Sequence, residues 1–173
     1  LLAKLLREKA ENQKTTSPQS FGQSALWFLY QLDPESSAYN IMYAAHIRRD
    51  VDLAALTKAL ATIVDRHSIL RTRYETENGL PVQVIDAAQA FEIETLDASA
   101  LDWDALQQKL QEEADKPFDL VNGPVMRVQL MERAEGDHVL LLTAAHIALD
   151  FWSLDLLIEE LQAAYQAVIT GES

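Results

Sequence analysis

The sequence has no cysteine, and its 14 lysines and arginines are outnumbered by 27 aspartates and glutamates. Without cysteine this chain has no disulfide bond, thiolate metal site or cysteine nucleophile. The net charge of −13 argues against a nucleic-acid partner, because phosphate binding needs clustered Lys and Arg side chains. No apolar run approaches the ~20 residues of a membrane-spanning helix, and residues 1–9 are too charged for a signal peptide. We expect a cytoplasmic protein with no nucleic-acid or membrane partner.

Glycine is scarce as well, with five residues, and none forms a phosphate-binding loop or the Gly-x-Ser-x-Gly turn of a serine hydrolase. No two of the four histidines have the spacing of metal ligands. These absences argue against nucleotide-binding, serine-hydrolase and metal-site chemistry. The chain does have 49% hydrophobic residues, enough to bury one core in a single domain.

The hydrophobic pattern predicts an α+β (mixed α/β) fold, with helices packed on a largely antiparallel sheet. Helices are predicted from Ser20 over residues 21–31, from Asp50 or Asp52 to about residue 66, and over residues 103–116 and about 153–170. Strands are predicted at residues 40–48, 70–75, 80–85, 91–96, 125–132 and 138–144. Asn78-Gly79 and Glu135-Gly136 predict hairpin turns, and Gly171 predicts the end of the last helix.

The first 20 residues differ in composition from the rest of the chain. Residues 1–14 carry the leucine spacing of an amphipathic helix, and residues 14–20 are polar with one proline, as in a linker. We interpret residues 1–14 as a connector helix from a preceding module and residues 15–173 as one domain. The alternative is a helix docked on that same domain. A chain that begins with Leu is expected to be part of a longer one.

Candidate chemistry follows the apolar run at residues 139–142, where His146 and Asp150 are the first strongly polar side chains. An imidazole has an ordinary pKa of about 6.5, which suits proton transfer near neutral pH. Asp150 could orient His146, or it could pair with an arginine. A partly buried structural histidine is the alternative, and the spacing alone slightly favours it. Ser153 lies where the last helix is expected to begin.

A second polar cluster contains Arg66, His67, Arg71 and Arg73, between a predicted helix and a predicted strand. These cations could bind an anion or neutralise a buried aspartate. Alternatively, they only complement the dipole at the end of the helix. His46 and His138 are expected to be structural, and the pairs Trp27-Phe28 and Phe151-Trp152 are expected in the core or along a cavity.

Three stretches together resemble a known family. The pattern Ser-x-x-Gln-x-x-Leu-Trp-Phe-Leu is matched from Ser20 to Leu29, and Arg-His-x-x-Leu-Arg-Thr is matched in full from Arg66 to Thr72. His146 and Asp150 match His-His-x-x-x-Asp-Gly. In this order the motifs resemble the N-terminal lobe of a condensation domain from a nonribosomal peptide synthetase, or from a hybrid with a polyketide synthase.

The resemblance implies a chloramphenicol-acetyltransferase-like fold, with two lobes around a tunnel, and amide formation between two carrier-bound thioesters. His146 would position or deprotonate the attacking amine. Asp150 would be structural and pair with Arg66, and Phe151, Trp152 and Ser153 would line the substrate channel. No metal or diffusible cofactor is implied, because phosphopantetheine arms of the carrier proteins present the substrates. The implied partners are upstream and downstream acyl or peptidyl carrier proteins, the C-terminal lobe, and adjacent adenylation or polyketide synthase modules.

Three positions depart from the family pattern. Ala145 stands in place of the first motif histidine, Phe151 in place of the motif glycine, and Ala25 in place of an arginine. Phe151-Trp152-Ser153 resembles a variant of hybrid assembly lines, whereas Ala145 is expected to weaken activity. The chain alone is expected to be inactive, since the second lobe is missing. Alternatives are a non-catalytic module that docks a carrier protein, an epimerisation domain, and a coenzyme A-dependent acyltransferase.

Overall fold

Seven strands and four helices make up the part of the chain that the structure, a computed structural model, describes: residues 15–87 and 91–171. The predicted connector helix at residues 1–14 lies outside these residues. Within the described ranges, no helix combines the length and the apolar character that crossing a bilayer requires.

Strands and helices are interspersed along the chain, with three consecutive strands in the middle and a pair of strands before the last helix. The strands are β1 Thr15–Pro18, β2 Asn40–Ile47, β3 Thr72–Glu77, β4 Leu80–Ile85, β5 Glu94–Asp97, β6 Met126–Ala134 and β7 Asp137–Ala145. The helices are α1 Phe21–Leu32, α2 Leu53–Arg66, α3 Trp103–Ala114 and α4 Phe151–Thr170, and a 3-10 turn occupies Ser68–Arg71.

The strands form two sheets. The larger has the order β2-β7-β6-β5 and is antiparallel except for the β5–β6 pair, and the smaller has the antiparallel order β1-β4-β3. Helices and largely antiparallel sheets confirm the predicted α+β class. Both predicted hairpins are present, β3–β4 and β6–β7, and β7 lies in the middle of the larger sheet.

Strand β7 is buried on both faces. Leu140, Leu142 and Ala144 pack in the cluster formed with α2 and α4, while Val139 and Leu141 pack on the other face against α3. Because successive side chains of a strand point to opposite faces, a strand covered on both sides must be apolar at every position. This explains the uninterrupted apolar run, and it places the end of β7 at the edge of the core.

The helix ends largely follow the predicted capping. Ser20 forms a capping box with Gln23 at the start of α1, and Asp52 caps α2. Helix α4 begins earlier than predicted, because Asp150 is its N-cap and its Oδ1 accepts the Ser153 N–H at 2.7 Å. Gly171 ends α4 with a φ of 72°, a left-handed conformation that glycine adopts without strain.

Other predicted boundaries also differ from the structure. Thr15–Pro18, predicted as a linker, pairs with β4 as an edge strand, where proline is tolerated. The strand predicted at residues 70–75 begins at Thr72, because Ser68–Arg71 forms a 3-10 turn first. The strand predicted at residues 91–96 is shifted to Glu94–Asp97, and the helix predicted to residue 116 ends at Ala114.

Candidate functional site

His146 follows directly after β7 and begins a turn that is tied down by backbone hydrogen bonds. Its N–H donates to the Tyr39 carbonyl oxygen at 2.9 Å. The N–H groups of Ala148 and Leu149 donate to the Ala145 carbonyl oxygen at 2.9 and 3.3 Å. Because Tyr39 immediately precedes β2, two neighbouring strands of the larger sheet hold this turn.

The His146 ring is half-buried, and its Nδ1 lies 2.8 Å from the Leu149 carbonyl oxygen. A carbonyl oxygen only accepts hydrogen bonds, so Nδ1 carries the proton of the neutral ring. Nε2 therefore keeps its lone pair. This tautomer leaves the ring able to accept a proton from a substrate, as a general base must.

Asp150 is exposed and acts on the helix rather than on His146. Its hydrogen bonds with Ser153, together with the positive charge of a protonated His146, hold the pKa of the Asp150 carboxyl below its usual value. The contacts of the described residues include no hydrogen bond between Asp150 and the His146 ring, which bonds to Leu149 instead.

The expected pairing of Asp150 with Arg66 is wrong, and Asp150 is not buried. Arg66, at the end of α2, binds Glu160 of α4, and the His67 Nε2 lies 2.6 Å from the other Glu160 oxygen. Asp150 instead caps α4, where its Oδ1 accepts the Ser153 N–H. Burial alone would raise the pKa of Glu160, but the His67 and Arg66 interactions outweigh it, and the net pKa is lowered.

The second motif therefore joins two helices. Arg66 and His67 hold α2 against α4 through Glu160. Arg71 donates from Nη1 to the Asp86 carbonyl oxygen at 2.6 Å. Arg73 pairs with the half-buried Asp86 carboxylate, through Nε at 2.5 Å and Nη2 at 3.0 Å. The interpretation that the cluster neutralises an aspartate therefore fits Arg73, whereas Arg66 and His67 engage Glu160 instead.

Ala145 is only 5% exposed and points into an apolar cluster that contains Trp27, Phe118 and Ile147. A pocket of about 250 Å³ adjoins it, and its walls include His146 and Tyr39. A histidine at position 145 would extend toward this cluster and pocket. The partners that orient His146, which are Tyr39 and Leu149, are present without that histidine, and the expected weakening of activity by Ala145 stays a prediction.

The remaining predicted channel residues lie in the first turn of α4. Phe151 and Trp152 are 65% and 74% exposed, although both are large apolar side chains. Ser153 is half-buried and borders a second pocket of about 230 Å³ together with His67 and Glu160. The structure thus places these three residues beside the His146 turn, and their role as channel lining stays a prediction.

The two histidines expected to be structural lie away from His146. The His46 Nε2 lies 2.5 Å from the Asp137 Oδ1, and its ring meets the Trp103 ring edge-on. His46 lies in β2 and His138 lies in β7. In the paired strands His46 is opposite Val139 and His138 is opposite Ile47, so both histidines lie at the end of β7 that is far from His146. His46 therefore serves as a matched position for substitutions at His146.

Sequence reasoning missed Tyr74 and Asn40. Tyr74 is 0% exposed, and its hydroxyl lies 3.2 Å from the Ile147 carbonyl oxygen and 3.4 Å from the Gln23 Nε2. Burial raises the pKa of Tyr74 to about 12. The Asn40 Nδ2 donates to the carbonyl oxygens of Ala114 and Lys116 at 2.8 and 2.9 Å. The only signals were their positions, just after the second motif and at the start of the strand that pairs with β7.

The sequence matches known proteins along most of its length. A model of the family described as Condensation domain matches residues 13–173. The beauvericin nonribosomal cyclodepsipeptide synthetase of Beauveria bassiana is 40% identical over 154 residues, covering 89% of this chain and 5% of the relative. Cyclosporin synthetase simA of Tolypocladium inflatum is 42% identical over 147 residues, covering 85% of this chain and 1% of the relative.

A solved structure gives the same result for the fold. The starter condensation domain of rhizomide synthetase RzmA superposes with a TM-score of 0.84 at 25% sequence identity, covering 92% of this chain. The match spans 39% of the solved chain. The chain therefore corresponds to less than half of a solved condensation domain and to a few per cent of the synthetases it resembles.

Proposed function

Because this chain belongs to the condensation domain family, we propose that it is the N-terminal lobe of a domain that forms amide bonds in the cytoplasm. The donor would be an acyl or peptidyl thioester on an upstream carrier protein. The acceptor would be the amine of an aminoacyl thioester on a downstream carrier protein. The observation that carries the proposal is His146, held at the end of β7 with its Nε2 lone pair free.

The proposed reaction needs one proton acceptor at the attacking nitrogen. As the amine attacks the thioester carbonyl, the C–N bond forms and His146 Nε2 takes a proton from the nitrogen. The C–S bond then breaks, and the departing thiolate receives the proton. The Nδ1–H bond to Leu149 holds the ring in the orientation that both transfers require.

The exposed apolar side chains at the start of α4 support the proposal that another part of the protein covers this surface. Phe151 and Trp152 form an apolar surface beside the His146 turn, and large exposed apolar side chains mark contact sites. We assign this surface to the substrate channel and to the C-terminal lobe that would close it. Phosphopantetheine arms of the carrier proteins would present the substrates, and adenylation or polyketide synthase modules would adjoin the domain.

The test measures amide product in the complete condensation domain that carries this lobe. Donor and acceptor carrier proteins are loaded, and the condensed product is quantified by mass spectrometry. His146→Ala is expected to lower the rate roughly 10²- to 10⁴-fold, the usual contribution of a general base. His46→Ala, the matched control in β2 opposite the far end of β7, should keep the rate. An unchanged rate in His146→Ala would contradict the proposal.

A second function, carrier-protein docking without catalysis, is favoured by one observation, the alanine at position 145. In that case the complete domain would bind a carrier protein loaded with a non-hydrolysable amide substrate, yet form no product from the thioester. The product assay above decides between the two functions, since only catalysis gives turnover that depends on His146.

A further inference from the structure

Tyr74 joins the three sequence motifs at a single buried hydroxyl. Its ring lies in the cluster that contains Trp27 and Ala145. Its oxygen lies between the Gln23 Nε2 of the first motif, at 3.4 Å, and the Ile147 carbonyl oxygen, at 3.2 Å. Tyr74 itself follows the second motif by two residues. The Tyr74 hydroxyl is therefore positioned by its own strand, β3, and by hydrogen-bond partners on two other segments of the chain.

The direction of these hydrogen bonds can be assigned. The Gln23 Oε1 accepts the Ser20 N–H at 2.9 Å in the capping box. The Gln23 NH₂ group therefore faces Tyr74 and donates to the phenol oxygen. The Tyr74 O–H must then donate to the Ile147 carbonyl oxygen. A phenol is protonated at neutral pH, and burial raises the pKa of Tyr74 further, to about 12.

The Ile147 carbonyl belongs to the residue that follows His146. Ile147 lies between His146 and Ala148 in the turn, and its side chain is buried. The turn is held before Ile147 by the Tyr39 bond to the His146 N–H and after it by the Leu149 bond to the ring. Between these two bonds, the Tyr74 hydroxyl holds the turn by its hydrogen bond to the Ile147 carbonyl oxygen.

We propose that Tyr74 is a positioning residue, whose hydroxyl holds the Ile147 carbonyl and thereby keeps the His146 ring in the tautomer with the proton on Nδ1. The role of this tautomer in catalysis rests on the proposed function, but the presence of the tautomer does not depend on that function. Phenylalanine at position 74 would fill the same space in the apolar cluster. The contribution of the hydroxyl can thus be separated from that of the ring.

The test uses the 173-residue chain and ¹⁵N NMR of its histidine rings at a pH where they are neutral. In the unsubstituted chain, His146 should show one protonated nitrogen, Nδ1, and one bare nitrogen, Nε2. In Tyr74→Phe the two resonances should move toward each other, because a released ring exchanges between tautomers. Resonances identical to those of the unsubstituted chain would overturn the proposal.

Tyr165→Phe is the matched control. It removes a hydroxyl that accepts the Asp52 N–H at 3.0 Å, in the other apolar cluster. It should leave the His146 resonances unchanged. An equal shift in Tyr165→Phe would show that general loosening moves the ring, and it would overturn the assignment to Tyr74.

Gln23→Glu gives a second variant that does not depend on Tyr74→Phe being folded. A carboxylate keeps the capping-box bond to the Ser20 N–H but accepts the Tyr74 proton instead of donating to the phenol. The Ile147 carbonyl then loses its donor while the cluster keeps its shape. The same movement of the His146 resonances is expected, and its absence would overturn the proposal. Neither measurement requires amide formation, so failure of the proposed function is distinguishable.

Discussion

Glu113→Gln should destabilise the lobe in a pH-dependent way. Glu113 lies on α3 and is 2% exposed, yet it is surrounded by donors. Its Oε1 lies 2.8 Å from the Lys109 Nζ, and its Oε2 binds Lys116 and lies 2.7 Å from the Gln129 Nε2. Burial alone would raise the pKa of Glu113, but these donors outweigh it and lower the pKa to about 2.

The size of the effect follows from that pKa. A glutamate in the unfolded chain has an ordinary pKa of 4.5, and each unit of difference is worth about 1.4 kcal/mol, so the charged form stabilises the fold by about 3 kcal/mol at neutral pH. A lowered folded pKa means that this contribution is complete above the unfolded value and is lost as the pH falls toward 2. At pH 3 about 1 kcal/mol should remain.

The assay is urea unfolding of the unsubstituted chain and of Glu113→Gln at several pH values between 7 and 3. Subtracting the two free energies of unfolding removes the titration of the other acidic groups. The difference should be about 3 kcal/mol at pH 7 and shrink to about 1 kcal/mol at pH 3. The exposed neighbour gives the control, since Glu112→Gln should change the free energy by less than about 0.5 kcal/mol. A difference that stays constant with pH would refute this reasoning.

Three further outcomes are expected. Asp150→Ala should lower the urea midpoint, because α4 loses its cap, whereas Asp150→Asn should keep most of it by accepting the same Ser153 bond. Ala145→His should cost less free energy of unfolding than the about 1–3 kcal/mol of an overpacked core and leave the His146 tautomer unaltered, since a pocket of about 250 Å³ adjoins position 145; a larger loss in thermal or urea unfolding would show that the cluster is already full. The 173-residue chain alone should give no amide product with loaded carrier proteins, and product above that of His146→Ala would contradict this.

The location of His146 at the end of a buried strand was predictable because β7 contains a continuous apolar run. A strand buried on both faces has a continuous apolar run, and the first polar side chain beyond it must lie at the edge of the core. The motifs at Ser20 and Arg66 added a family identity that the spacing of His146 and Asp150 could not supply alone.

The partners of the charged side chains were not predictable. Arg66 and Glu160 are 94 residues apart, and sequence spacing gives no information on which helix faces which. The capping role of Asp150 competes with an ion pair, and which one forms depends on where α4 begins. Tyr74 gave no sequence signal beyond its position just after the second motif, because a tyrosine in a strand is ordinary and its buried partner is a main-chain oxygen.

The pairing of β2 with β7 has a consequence for how the lobe is made. Asn40–Ile47 pairs with residues 91 to 105 positions later, His138 to Ala145. At about 5–20 residues per second on a ribosome, β2 waits on the order of 5 to 20 seconds for its partner strand. Until His146 has been synthesised, the carbonyl oxygen of the neighbouring Tyr39 lacks the His146 N–H group that donates to it in the folded lobe. His146 therefore reaches its position only after most of the lobe has emerged.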